Sequence, residues 1–100
     1  MPNPPDNIDW PFEDPKNLAV VTTQQITSGD APILYVFHDE EEGDWQFLDC
    51  GEPDTVRAAV VSLYNMTQID PSLFGIADLP LGWEAWRETK DSIWHRGPVS

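Results

Sequence analysis

Three side chains in this sequence have the chemistry of a nucleophile, a base or a metal ligand: Cys50, His38 and His95. A thiol beside an imidazole can act as an activated nucleophile. Cys50 also precedes Gly51-Glu52-Pro53-Asp54, a helix-start signal whose positive end would lower a thiol pKa. A zinc site needs three or four ligands; no cysteine pair accompanies the two histidines, and nothing in the spacing gathers them. Free cysteine is among the most buried residue types, and Cys50 is read as structural. No serine sits in a G-x-S-x-G turn, and no glycine-rich loop could cradle a phosphate. The chain is therefore read as non-catalytic, with no cofactor and no metal.

Two other features could carry a function. The acid run Asp39-Glu40-Glu41-Glu42-Gly43-Asp44 offers hard oxygen ligands of the kind calcium takes. Its spacing is not that of an EF-hand, no glutamate closes it at the twelfth position, and it falls at a hairpin tip, where charges ordinarily keep a sheet edge solvated. The second feature is the set of five tryptophans. Each indole buries roughly 150–250 Å² when packed, and tryptophan dominates interface energetics. Trp45 and Trp83 are assigned to the core, whereas Trp86 and Trp94 stay open between core and contact. Trp83 and Trp86 point to opposite faces of one strand, so both cannot enter the same side of a sheet. The candidate partner contacts are thus Glu40, Glu41, Glu42, Asp44, Trp86 and Trp94.

The charge balance narrows the partner. Eighteen acids against five bases give a formal net charge of -13, which excludes a nucleic-acid binder or an anionic-membrane binder, since both need basic patches. Hydrophobic residues at 40% and aromatics at 11% exclude a disordered chain. One hundred residues suffice for one domain. No apolar run is long enough to span a bilayer. The single cysteine excludes an internal disulfide and fits a reducing, cytoplasmic setting.

The elements that must position these residues read as follows. Residues 1–17 form a proline-rich acidic tail; its aromatics, Trp10 and Phe12, are expected to dock on the domain. Residues 18–96 form the domain, and 97–100 a frayed end. Within the domain, 18–23 is a β-branched strand, 24–30 a turn or single helical turn, and 33–39 a strand apolar on both faces. Residues 45–49 return from the acidic hairpin loop, with Phe37 expected across from Trp45 or Phe47 at about 0.2–1 kcal/mol per pair. Val56, Ala59, Val60 and Leu63 follow helical spacing, so the main helix is expected over 54–66. Asp70 and Pro71 open a short helical turn stopped by Gly75. Strands are expected at 83–88 and 93–95. The order βββαββ makes an α+β domain, an antiparallel sheet of about five strands with one main helix and a short helical turn on one face.

The segments Leu34-Tyr35-Val36-Phe37-His38-Asp39, Gly43-Asp44-Trp45-Gln46-Phe47-Leu48, Ile69-Asp70-Pro71-Ser72-Leu73 and Asp78-Leu79-Pro80-Leu81-Gly82-Trp83-Glu84-Ala85-Trp86-Arg87 together resemble a family of small bacterial proteins of unknown function related to the immunity-protein-33-like group. The likeness covers about residues 20–87. It implies a protein found near polymorphic toxin genes, with no active site to carry over. A negative face suits an inhibitor of a cationic partner, because it steers encounter. The expected function is therefore protein–protein contact by a monomer or weak homodimer whose partner is basic. The rival expectation is a small enzyme or ligand-binding domain with a pocket near Cys50.

Overall fold

The computed structural model describes residues 10–49 and 57–99. Along the chain come β1 (Ala19–Thr23), α1 (Gln24–Thr27), β2 (Tyr35–His38), β3 (Trp45–Leu48), β4 (Ala58–Ser62), α2 (Leu63–Ile69), a 3-10 helix (Pro71–Ile76), β5 (Trp83–Trp86) and β6 (His95–Pro98). The strands form one sheet in the order β4-β1-β3-β2-β5-β6. The α+β class holds. The sheet has six strands rather than about five, and it is mixed rather than antiparallel, because β1 runs parallel to β3.

The additional strand is β4, which occupies ground expected to be helical. Ala59, Val60 and Leu63 do fall at helical spacing, yet Val60 and Val61 are β-branched and favour a pleated surface. Pairing decides the outcome: β4 lies antiparallel to β1 over five residues, from Ala19 opposite Ser62 to Thr23 opposite Ala58. Helix begins only at Leu63, where the Ser62 hydroxyl accepts from the Asn65 amide and caps the first turn. That helix buries Leu63, Met66 and Thr67. The expected helix start at Gly51–Asp54, together with Cys50 and Val56, lies outside the described residues.

Alternation along the strands sorts the side chains into two layers. Val20, Val36, Phe47, Trp45 and Ala85 point to one face and join Ile26, Leu63, Met66, Leu73 and Ile76 in the buried core. The opposite face is not covered by any helix among the described residues, and it exposes Val21, Val60 and Trp86. Phe37 belongs to that second face and pairs with Gln46, so it does not meet Trp45 or Phe47 as expected. The cross-strand ring pair is instead His38 with Trp45.

Trp10 and Phe12 dock on the domain as expected, whereas residues 97 and 98 are paired rather than frayed. Phe12 is 5% exposed and sits edge-on to Trp45 at 5.4 Å, with Trp10 tilted against it at 5.1 Å. Asp14 fastens this segment, taking the Trp10 indole N–H on its carbonyl at 2.7 Å and the Trp45 indole N–H on its carboxylate at 2.9 Å. Gly97 and Pro98, expected to fray, pair with Glu84 and Trp83 in β6. Proline is tolerated there because β6 is an edge strand and needs no donor on its outer side.

Candidate functional site

His38 ends β2 on the core face and is 9% exposed. Its ring lies on Trp45 at 3.9 Å between centroids and 15° between planes. Its Nδ1 is 2.8 Å from the Leu79 carbonyl oxygen. A carbonyl can only accept, so Nδ1 carries the proton in this bond.

Beside this ring lies a recess of about 480 Å³, lined by His38, Trp45, Gly43, Glu13, Asp14 and the 77–81 segment. Three pieces of chain close it. The Phe12 anchor carries Glu13 and Asp14 to its rim. The Asp39–Asp44 hairpin loop stands next, closed by the Gly43 amide on the Asp39 carbonyl and the Asp39 amide on the Asp44 carbonyl. The connector before β5 forms the third wall, pinned by the Gly82 amide on the His38 carbonyl at 2.7 Å. Gly82 has φ +80 and passes so close to Glu40 that an added Cβ would stand 3.3 Å from its carboxylate. The tight approach brings the acidic loop and the Asp78–Leu81 segment together.

Electrostatics at this end are one-sided. Glu40, Glu41 and Glu42 are exposed and Asp44 is half-buried. Asp78 is exposed and paired with Arg96 at 2.9 Å, and that guanidinium, first by hydrogen bond and then by charge, holds its carboxyl below the usual carboxylate range. No group of three or more His, Cys, Asp or Glu among the described residues is arranged to hold a metal ion.

The two tryptophans singled out as contacts have different situations. Trp86 is 42% exposed on the uncovered face, stacked on His95 at 6.0 Å. It stands in a cross-sheet row with Leu48, Tyr35 and His95. Tyr35 donates to Glu84 on the same face, and its phenol is pushed up to about 12, chiefly by burial and then by the hydrogen bond and charge of that carboxylate. Trp94 is committed to the fold: its indole N–H donates to the Ser72 hydroxyl at 3.2 Å, and the Arg87 guanidinium lies over its ring at 4.2 Å. His38 pairs with Trp83 and His95 with Trp86, so the two histidines lie on opposite faces and are separated along the strands. They form no joint site.

Sequence reasoning found the acidic loop but not its company. Glu13, Asp14 and Asp78 come from distant segments, and only the tertiary fold gathers them round His38. The one available signal was His38 falling in alternation with Val36, on the side of β2 that faces the core. No family model, curated protein or solved structure matches this chain. No helix among the described residues is long and apolar enough to cross a membrane.

Proposed function

We propose that this protein is a non-catalytic interaction module that binds a basic protein through the acidic end of its sheet, as an immunity-like inhibitor would. One observation carries the reading: the loop residues Glu40, Glu41, Glu42 and Asp44 share one end of the fold with Glu13, Asp14 and Asp78. Converging carboxylates from separate segments raise the local negative potential well above what dispersed surface charge gives, and such a face accelerates encounter with a cation-rich partner. At physiological salt the field reaches roughly 8 Å, so it orients the partner as it arrives.

Trp86 and its row on the uncovered face supply a second, uncharged contact surface, of the amphipathic kind that anchors interfaces. It is separate from the acidic end, so the two surfaces can be tested independently.

The experiment identifies the partner by capture from the native host at low salt and then measures its association rate in purified form. Neutralising Glu40, Glu41, Glu42 and Asp44 together is expected to slow association about tenfold or more and to flatten its dependence on salt. An unchanged rate and unchanged salt dependence overturn the acidic-end reading. Turnover of a small molecule, abolished by one substitution in the recess, would establish the rival enzymatic reading instead.

A further inference from the structure

We propose that β4 pairs antiparallel with β4 of a second copy of this chain, joining the two sheets edge to edge about a two-fold axis at Val60. This edge is separate from the acidic end, and its pairing does not depend on the reading given for that end.

The ladder between β4 and β1 fixes which backbone groups face outward. The Leu63 amide donates to the Leu18 carbonyl, and the Gln24 amide donates to the Arg57 carbonyl. With the register between the two strands, these bonds set the alternation. Ala59 and Val61 turn their backbone groups to β1, whereas Ala58, Val60 and Ser62 turn theirs away from it. Among the described residues no strand lies beyond β4. Such a row is a template for another strand, and charges or proline ordinarily blunt it. The opposite edge, β6, carries Arg96 and Pro98. β4 reads Ala-Ala-Val-Val-Ser and has neither device, and Val60 is 68% exposed.

Register and charge both select a copy of the same chain. The middle residue of β4, Val60, is itself one of the outward set. A two-fold axis there places Val60 opposite Val60 and Ala58 opposite Ser62, so every outward group finds a partner along the full strand. None of the eighteen acids falls in residues 16–29 or 57–69, the segments that supply β1, α1, β4 and α2. Two of the five bases, Lys16 and Arg57, do fall there. A chain of net charge -13 repels its copy at an acidic surface. At this edge the paired segments bring no carboxylates together, and Lys16 and Arg57 of each copy enter the negative field of the other.

The test is sedimentation equilibrium of the full chain from about 10 μM to about 1 mM, with amide hydrogen exchange at both ends of that range. A reversible dimer is expected. The Ala58, Val60 and Ser62 amides should be protected only where it forms, and those of Ala59 and Val61 throughout. Raising NaCl from about 50 to about 500 mM should tighten the dimer, because salt screens the repulsion between two acidic chains. Association with a basic partner moves the other way. Val60→Pro removes an outward N–H and no bond to β1, and should weaken dimerisation at least about tenfold. Val60→Glu, at an already exposed side chain, sets two carboxylates opposite one another and should do as much even where the proline variant does not fold. A chain that stays monomeric throughout, or a dimer whose Val60 amide is unprotected and whose strength Val60→Glu leaves unchanged, overturns the proposal. Protection of these amides only on adding another protein would make β4 that protein's docking strand and overturns it as well. The loop quadruple variant is read on the basic partner's association rate, so the two readings fail separately.

Discussion

Asp70 and Arg87 form an ion pair in which one carboxylate does two things. One oxygen accepts from the Ser72 amide at 3.0 Å and caps the 3-10 helix, while the other pairs with an Arg87 side chain that is 1% exposed. The same guanidinium donates to the Ile33 carbonyl at 2.9 Å and the Ser72 hydroxyl at 2.9 Å. The end of β5 is thereby tied to the loop before β2 and to the helical layer. Lysine cannot reproduce that fork. R87K is expected to lower unfolding free energy by about 2–4 kcal/mol, and D70N by a similar amount, because it keeps a competent cap but strands a buried cation. Urea melts check this. An R87K midpoint equal to that of the wild type would show the pair to be incidental.

Phe12 tests whether the segment before β1 belongs to the core. Its ring contacts Trp45, Trp10 and Phe74 and is 5% exposed. F12A should cost about 3–5 kcal/mol in the same melts. W86Q, on the uncovered face, should stay within about 0.5 kcal/mol of wild type. Equal losses for the two would contradict the layer assignment.

Tyr35 gives a pH prediction. Its phenol is raised from 10.0 to about 12 in the folded protein. Between those values the folded chain holds a proton that the unfolded chain has released, so stability declines as pH rises. The contribution is fully present below pH 10.0 and lost as pH passes about 12. An absorbance titration of tyrosinate should show one phenol titrating near 12 that disappears in Y35F. Its persistence in Y35F would assign it elsewhere.

Gly82 and Gly75 make a matched pair. Gly82 sits at φ +80, a conformation L residues reach at about 1–2 kcal/mol, and its Cβ would crowd Glu40. Gly75 has no positive φ and open space around it. G82A should therefore destabilise by about 1–2 kcal/mol, while G75A should be neutral or slightly stabilising through the unfolded chain. Denaturation midpoints in the reverse order would refute the assignment.

Much of the local structure was legible in the residues. Alternation of Trp45 and Phe47 with Gln46 and Leu48, after a glycine-bearing acidic loop, specified the β2–β3 hairpin. Asp70-Pro71 specified the start of the 3-10 helix, with the capping bond made as the pair implies. The stretch from Ala58 was misread because its apolar spacing satisfies a helix as well as a strand. Nothing local separates the two until β1 offers five residues of ladder.

The sequence by itself determined the class, the hairpin, the net charge of -13 and the acidic character of its loop. These follow from periodicity, turn chemistry and composition, which act between neighbours in the chain. The tertiary structure decided which face of the sheet is covered, that Arg87 is buried and paired, that Trp94 is held by Ser72 and Arg87 while Trp86 stands exposed, and that Glu13, Asp14 and Asp78 line the recess beside His38. Each of these depends on contacts between segments tens of residues apart. Strand order and register set such contacts, and no local pattern in the sequence encodes them.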